Sequence, residues 1–252
     1  MFDLKDKIAV VTGGNGGIGL GMARGLAAAG AKIVIAARNA EKSRAAQKDI
    51  RAVGSDAIAV SVDVTDEAAV EQMIRTTVQQ YGRVDILVNN AGTNIRKPAH
   101  ELKTPEWHTV INTNLTSAFL CSRAAYPVMK QGGGGKIINI GSMMSIFGAS
   151  FAPAYSASKG GIVQLTKSMA TAWARDNIQV NAVLPGWIDT ELTRNARREV
   201  DGLHDHILRR TPAGRWGVID DMAGIAVFLA SSASDFVTGT AIPVDGGFSI
   251  QP

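Results

Sequence analysis

Seven short apolar runs, mostly rich in β-branched residues, alternate with amphipathic helical stretches along the chain. The runs are Ile8–Val11, Lys32–Ala36, Ala57–Val62, Val84–Val88, Lys136–Ile140, Gln179–Val183 and Ala241–Val244. Strands of this kind are typical of a parallel sheet whose two faces are both covered by helices. The helical stretches include Ile18–Ala29, Ala40–Val53, Glu67–Tyr81 and Tyr155–Asp176. The alternation predicts a single-domain α/β fold, a Rossmann-type, doubly wound, parallel sheet of seven strands flanked by helices.

Charge and cysteine content narrow the classes of partner. The net charge of +4 comes from 26 Lys and Arg against 22 Asp and Glu, without a dense basic run. This favours an anionic small molecule over nucleic acid. The single cysteine, Cys121, excludes an intrachain disulfide, and the four scattered histidines lack the spacing of metal ligands. No apolar run approaches the roughly 18 residues of a membrane span, and the N-terminus does not resemble a secretion signal. We therefore expect a cytoplasmic protein without a metal or membrane site.

A glycine-rich turn, Thr12–Gly19, joins the first predicted strand to the first predicted helix. Glycines let the backbone turn sharply and approach a pyrophosphate, and the helix N-terminus offers free N–H groups. An ordinary flexible turn is the alternative, but the place between strand and helix favours a dinucleotide site. Two registers fit the glycines, which are GxGxxG at Gly14, Gly16 and Gly19, and GxxxGxG at Gly13, Gly17 and Gly19.

The end of the second predicted strand indicates which dinucleotide binds. An acidic residue at this place would hold the adenosine ribose hydroxyls of NAD. The segment Ile35–Asn39 contains no acid and carries Arg38, whose guanidinium suits the 2′-phosphate of NADP. The sequence therefore predicts NADP as the preferred cofactor, with NAD possible. The alternative is that Arg38 is only a solvated residue at the start of a helix.

Three further side chains form a candidate catalytic group. Tyr155 and Lys159 are four residues apart at the start of a helical stretch, so they share one face. A phenol is a poor base at neutral pH, but a nearby ammonium stabilises the phenolate and lowers its pKa. Such a phenol can exchange a proton with a substrate oxygen. Ser142 follows the fifth predicted strand, where its hydroxyl can hold the same oxygen.

Along nearly its whole length the chain resembles the short-chain dehydrogenase/reductase family. The resemblance implies hydride transfer between a nicotinamide and an alcohol or ketone, with Tyr155 giving or taking the hydroxyl proton. It also implies that Lys159 holds the nicotinamide ribose and that Asn114 bends its helix and anchors a water. The landmarks, in order, are the glycine turn, Asn89-Asn90-Ala91-Gly92, Asn114 in Asn112–Leu115, Ser142 with Tyr155 and Lys159, and Pro185-Gly186 with Thr190.

The same resemblance implies a set of cofactor-binding residues. Two departures from the family pattern are present. Gly141 stands where a second serine is common, and Asn15 and Gly16 stand where the glycine turn often carries a basic residue, which leaves Arg38 as the main sign of NADP. The implied cofactor-binding residues are Gly13, Asn15, Gly17, Ile18, Gly19, Arg38, Asp63, Val64, Asn90, Ala91, Gly92, Tyr155, Lys159, Pro185, Gly186, Ile188 and Thr190.

Within the family, two segments resemble the branch of gluconate 5-dehydrogenases and 2-deoxy-gluconate 3-dehydrogenases. They are Ala91–Pro98 and Pro212–Gly217. The resemblance implies a sugar acid such as gluconate or 2-deoxygluconate as the substrate. Arg96 and Lys97 follow the carboxyl end of the fourth predicted strand, where ligands of open α/β sheets bind, so we expect Arg96 or Lys97 to contribute to recognition of the carboxylate. Met144 and Trp187 would give the pocket an apolar wall. Two alternatives stay open, a general carbonyl or 3-oxoacyl thioester reductase and a dinucleotide-binding regulator without catalysis. The joint presence of Asn114, Ser142, Tyr155 and Lys159 argues against the regulator.

Two further regions of the sequence indicate a segment that covers the substrate and an interface between subunits. Residues 188–216 are rich in Arg, His and Glu without a predicted strand, so we expect one domain, 1–252, with a substrate-covering insertion there. Arg194, Arg197 and Arg198 would add positive charge over the substrate. The helical stretches Thr104–Lys130 and Tyr155–Asp176 carry apolar residues that can face outward. The resemblance implies that these helices form one interface of a homotetramer and that Phe248–Pro252 lies near a second.

Overall fold

The computed structural model describes residues 1–251, which contain one sheet of parallel strands. Its strands are β1 (Ile8–Thr12), β2 (Lys32–Ala37), β3 (Ala57–Ser61), β4 (Ile86–Asn89), β5 (Gly135–Ile140), β6 (Ile178–Pro185) and β7 (Ala241–Val244). They are arranged in the order β3-β2-β1-β4-β5-β6-β7. Because the order reverses between β1 and β4, the sheet is doubly wound and the predicted fold is confirmed. Each predicted run overlaps one strand, and no end differs by more than two residues.

Helices cover both faces of this sheet. They are α1 (Gly17–Ala28), α2 (Ala40–Ala52), α3 (Glu67–Tyr81), α4 (Thr104–Ile111), α5 (Ser117–Gln131), α6 (Pro153–Trp173), α7 (Glu191–Glu199), α8 (Leu203–Arg210) and α9 (Ala223–Ala230). Apolar residues of α1, α2 and α9 pack on one face, and those of α3, α5 and α6 pack on the other. Every residue of β1 and β6 is buried, as the apolar runs predicted.

The helical stretch predicted over Thr104–Lys130 is interrupted. Between α4 and α5 the chain forms a π-helical turn at Asn112–Thr116. A π-turn adds one residue to the hydrogen-bonded ring, so it rotates the helix on either side and bends the path. Asn114 lies at the centre of this turn and is buried. The chain therefore departs from regular α-helical geometry at the residue where the family resemblance implies a bend.

Residues 188–216 form α7 and α8, with one isolated parallel bridge between Ile188 and Gly217. Leu203 and Ile207 of α8 pack with Leu184 and Phe248 in a third apolar cluster. Both helices follow the carboxyl end of β6, where the ligand crevice of an open α/β sheet lies. In the part of the chain that the structure describes, no helix is both long and apolar enough to cross a membrane.

Candidate active site

A cleft of about 1170 Å³ runs along the carboxyl ends of the strands. The predicted residues Ser142, Tyr155 and Lys159 line it together with the residues predicted for the substrate, Arg96, Met144 and Trp187. All the predicted cofactor residues line it except Gly19, which packs behind the glycine turn. The other predicted residues that do not line the cleft are Asn114, Lys97, Arg194, Arg197 and Arg198.

The backbone of the glycine turn decides between the two registers. Gly13 and Gly17 have positive φ angles of 63° and 52°, a region that L-residues with a side chain rarely adopt. A methyl group at Gly19 would overlap the side chain of Asn90 and the carbonyl oxygen of Gly13. Gly16 is extended and has open space at its Cβ position. The turn therefore has the GxxxGxG register, and the N-terminus of α1 begins without a side-chain cap.

Two amide side chains hold the turn in place. Asn90 donates from Nδ2 to the carbonyl oxygens of Thr12 and Gly13, at 3.0 and 3.2 Å. Asn15 donates from Nδ2 to the Ser43 hydroxyl at 3.2 Å, which ties the turn to α2. The Thr12 hydroxyl also accepts hydrogen bonds from the backbone N–H groups that follow β4, at 3.0 and 3.1 Å. The sequence analysis did not single out Thr12, because its role depends on a contact across the sheet.

Arg38 lies at the adenosine end of the cleft and is open to solvent. Its side chain is 76% exposed, and its Nη1 is 3.8 Å from a carboxylate oxygen of Asp63. Asp63 accepts hydrogen bonds from the backbone and hydroxyl of Thr65, and these bonds hold the pKa of the carboxyl below its usual value, with Arg38 adding to the effect. At this distance and exposure, the guanidinium keeps donors free for an anion. Lys42, which the sequence analysis missed, lines the same end.

Ser142, Tyr155 and Lys159 converge where β5 meets α6. Ser142 caps a short 3₁₀ turn at Met143–Ser145, and its hydroxyl oxygen accepts a hydrogen bond from the Met144 N–H at 3.1 Å. Lys159 is buried, and its Nζ donates to the carbonyl oxygen of Ile140 at 2.6 Å. The same Nζ lies 5.6 Å from the centre of the Tyr155 ring. The three predicted side chains therefore share one wall of the cleft.

Burial dominates the protonation of this group. Burial raises the pKa of Tyr155, while the Ser142 hydroxyl and the Arg96 charge oppose that rise. Burial also lowers the pKa of Lys159 to about 8. This differs from the expectation that the ammonium lowers the pKa of the phenol. Desolvation of the phenolate is the largest effect on Tyr155, and Nζ of Lys159 donates to the carbonyl oxygen of Ile140.

Asn114 acts from behind the cleft. Its Nδ2 donates to the carbonyl oxygen of Thr93 at 2.9 Å and to the Ser158 hydroxyl at 3.0 Å, and its Oδ1 accepts from the Thr93 N–H at 2.7 Å. Ser158 lies between Tyr155 and Lys159 in α6, and its hydroxyl donates to the carbonyl oxygen of Tyr155 at 2.7 Å. The amide therefore joins the loop after β4 to the turn of α6 that carries the catalytic pair.

The arginines predicted to attract a substrate anion are largely occupied. Arg96 donates to Glu199 at 2.8 Å and to the carbonyl oxygen of Leu192 at 3.1 Å, so it anchors α7. Lys97 pairs with Glu106. Arg194 and Arg197 both pair with Asp189. Neighbouring acids thus neutralise most of the positive charge that was expected over the substrate. The sequence could not show this pairing, because each acid reaches its partner through tertiary contacts or from an adjacent helical turn.

Two buried polar atoms of the cleft have no hydrogen-bond partner among residues 1–251. They are Oδ1 of Asn94, an acceptor, and Nε1 of Trp187, a donor. Buried polar atoms in folded proteins usually find partners, and an exception in a cleft is a place where a ligand can supply one. Within the same described range, no cluster of three or more His, Cys, Asp or Glu side chains is placed to hold a metal ion.

A dinucleotide-type glycine turn beside a Ser–Tyr–Lys group defines an oxidoreductase of the nicotinamide class. Comparison with known proteins agrees. A family model described as "Enoyl-(Acyl carrier protein) reductase" matches residues 13–249. The chain belongs to the short-chain dehydrogenase/reductase family, as its resemblance to that family indicated.

Relatives that match along the full length bear names from sugar-acid chemistry. The chain is 44% identical to 2-dehydro-3-deoxy-D-gluconate 5-dehydrogenase of Dickeya dadantii, over 98% of this chain and 97% of that protein. It is 40% identical to gluconate 5-dehydrogenase of Gluconobacter oxydans, over 100% and 98%. A crystal structure of gluconate 5-dehydrogenase from Burkholderia cenocepacia, in complex with NADP and tartrate, superposes with a TM-score of 0.94 at 42% identity and covers 100% of this chain and 98% of that one.

Proposed function

We propose that the protein oxidises or reduces a sugar acid such as gluconate or 2-deoxygluconate at one carbon, with NADP as the preferred cofactor. The observation that carries the proposal is the convergence of Ser142, Tyr155 and Lys159 on one wall of a dinucleotide cleft. Full-length relatives at 40 to 44% identity with sugar-acid names support the substrate class. The second candidate is reduction of another carbonyl, such as that of a 3-oxoacyl thioester. The family description shares the acyl carrier with this candidate but names an enoyl group, which is reduced at a carbon–carbon double bond.

The residues of the cleft fit a nicotinamide dinucleotide. Gly13 and Gly17 have positive φ angles and no side chains, so a pyrophosphate can approach the backbone closely there. The uncapped N-terminus of α1 offers N–H groups to that pyrophosphate. Arg38 would hold the 2′-phosphate, and the crystallised relative with bound NADP supports this choice. Ile188 and Thr190 would lie at the nicotinamide end. When bound, the cofactor supplies or accepts the hydride.

The protein's own groups manage the substrate oxygen and its proton. The oxygen of Ser142 already accepts from Met144, so its O–H is left to donate to the substrate oxygen. Tyr155 gives its proton to that oxygen during reduction and takes it back during oxidation. Lys159 donates one N–H to the carbonyl oxygen of Ile140, which leaves two N–H groups for the cofactor ribose and for Tyr155. Asn114 is a positioning residue, since its amide bonds only Thr93 and Ser158.

Residues 188–216 would cover the substrate. Two ion pairs hold α7 across the cleft, Lys42 with Glu191 and Arg96 with Glu199, both at 2.8 Å. Both side chains of the Lys42–Glu191 pair are more than half exposed, and an ion pair of this kind contributes little stability, about 0–1 kcal/mol. Arg96 is only 12% exposed and also bonds the backbone of Leu192, so its pair with Glu199 is the firmer attachment. We therefore expect α7 to open at Glu191 when substrate enters, while Arg96 keeps its other end in place.

We further propose a homotetramer that works in the cytoplasm, where nicotinamide dinucleotides are retained. Of the apolar residues on which this rests, Phe119 and Ala172 are exposed, while Ala118, Ala125 and Met169 face the sheet. The outward stripe is thus narrower than the sequence suggested. A closed two-fold arrangement of α5 and α6 would cover Phe119. Phe248 is buried and Ile250 exposed near the second predicted interface, and Pro252 lies outside the described residues.

The function is tested with the parent enzyme and Tyr155→Phe. We expect NADP-dependent oxidation of gluconate or 2-deoxygluconate by the parent, and a loss of kcat of about 10²–10⁴-fold in the variant, because the ring still packs without a proton to exchange. The dissociation constant of NADPH, measured by fluorescence, should be nearly unchanged. A parent that reduces 3-oxoacyl thioesters and ignores sugar acids would favour the second candidate.

The pH dependence of the two directions should differ. Since burial raises the pKa of Tyr155, the phenol is protonated at neutral pH. Reduction should be constant through neutral pH and fall at alkaline pH, whereas oxidation, which needs the ionised phenol, should rise with pH. Arg96→Met removes a charge that lowers the pKa of Tyr155, so the oxidation profile of kcat/KM should move to higher pH. An oxidation rate already maximal in mild acid would contradict this assignment.

Cofactor choice is tested at the end of β2. NADPH should bind the parent more tightly than NADH, and Ala37→Asp with Arg38→Leu should reverse the order. The reason is that a charge-assisted contact with the 2′-phosphate is replaced by a carboxylate that accepts from the ribose hydroxyls and repels the phosphate. Titration of both cofactors into both proteins measures it. Equal affinities in the parent would show that Arg38 does not contact the phosphate.

The assembly is tested by light scattering after size exclusion. The parent should have four times the mass of one chain at micromolar concentration. Phe119→Glu places a charge in the proposed α5–α6 interface and should reduce the assembly to a smaller species. Val53→Glu, on an exposed residue at the end of α2, is the matched control and should leave the mass unchanged. A parent that is monomeric at this concentration rules out the tetramer.

A further inference from the structure

A second, smaller cavity of about 240 Å³ adjoins the substrate end of the cleft. Met144, Phe151 and Trp187 line both spaces, so the smaller cavity is a side chamber of the cleft. The chamber extends under α8, and its walls are mostly apolar. Its permanent charge is Arg210, at the end of α8, and the imidazole of His206 lines it one turn earlier on the same helix. No Asp or Glu of the described residues lines it.

In this chamber Arg210 packs against two aromatic rings, Phe147 and Phe248, whose planes lie at 75° to each other. The guanidinium carbon lies 4.8 Å from the centre of the Phe147 ring and 4.4 Å from that of Phe248. Its Nε is buried and has no hydrogen-bond partner among residues 1–251. Stacking on aromatic faces stabilises a guanidinium but leaves its N–H donors, which lie in the plane of the group, unused. Because Nε is enclosed by protein atoms, the N–H groups on the two Nη atoms are the donors left for a planar anion.

The other cations of this region are already engaged. Arg96 is bonded to Glu199 and to the backbone of α7, and Lys159 is bonded to a carbonyl oxygen. Arg197 lies over the Trp216 ring and pairs with Asp189. Arg210 forms no ion pair with any described acid, although a partly buried charge is costly without one. The geometry therefore calls for an anion from outside the chain.

We propose that Arg210 binds the carboxylate of the substrate through two parallel hydrogen bonds in the side chamber, while the reacting carbon lies at Ser142 and Tyr155. This rests on the proposed function, because it names the group that recognises a sugar acid. The apolar walls exclude water, which strengthens a charge-assisted pair. Arg96, predicted from the sequence for this role, instead holds α7 in place.

The test compares Arg210→Met, Arg210→Lys and the control Arg209→Met. Arg209 is the exposed neighbour on α8 and lines neither cavity. Kinetics with gluconate and with its neutral counterpart, glucitol, would be measured at saturating NADP. Arg210→Met should raise KM for gluconate by roughly 10- to 100-fold, with a smaller change in kcat, and should abolish the preference for the acid over the alditol. Arg210→Lys keeps the charge and should lose less, and Arg209→Met should match the parent.

Several outcomes separate this inference from the proposed function. If the parent oxidises gluconate and Arg210→Met leaves the acid-to-alditol ratio unchanged, the inference is wrong and the function stands. If all substrates lose kcat equally and the thermal midpoint falls, Arg210 only supports α8, and the inference is again wrong. If Arg210→Met does not fold, Arg210→Lys decides by its KM for gluconate. A parent inactive on every sugar acid overturns both.

Discussion

The position of α6 over the carboxyl end of β5 is the constraint on which the site depends. Tyr155 and Lys159 project from this helix, and Ser142 from the strand end beside it. Because the polar groups involved are largely buried, losing one partner would cost about 1–3 kcal/mol, so the helix has one favoured register on the sheet. The bonds run from Lys159 to Ile140, from Ser145 to the Lys159 carbonyl, from Asn114 to Ser158, and from Asn139 to Thr166.

This anchoring has an electrostatic consequence. Turning Lys159 Nζ toward a backbone carbonyl spares it from being an unpaired buried ammonium, yet burial still lowers its pKa to about 8. Tyr155 is left with a raised pKa and keeps its proton at neutral pH. The described residues alone thus favour the protonated form of Tyr155, which is the form that can donate a proton in the direction of reduction. Ser142 and Arg96, which lower the pKa of Tyr155, lie at the substrate end of the cleft. A charged ligand bound at that end would therefore act directly on the pKa of Tyr155.

Local patterns were enough to predict the fold and the cofactor end of the cleft. The β-branched runs located the strands, and the glycines around Gly13–Gly19 fixed the turn, because their reasons are local: burial of a strand and backbone freedom of a turn. The glycine register was not decidable from spacing, since it depends on φ angles and on the approach of Asn90. The π-turn at Asn112–Thr116 escaped helical periodicity, because a single inserted residue barely changes an apolar pattern.

The substrate end could not be predicted in the same way, because its determinants are distant in sequence. Arg96 and the acid that it pairs with, Glu199, are 103 residues apart in the sequence. The sequence alone therefore gives no sign that this guanidinium is already paired. Arg210 is one of two adjacent arginines at the end of α8, and the rings that it contacts come from the loop after β5 and from the chain after β7, so its sequence neighbours do not distinguish it from Arg209. Whether a charged side chain is free to bind a ligand therefore depends on tertiary structure. The glycine turn and the strands depend on local sequence, whereas the contacts of α7 and α8 depend on residues far away in the chain, so the two parts of the cleft can vary independently on one scaffold.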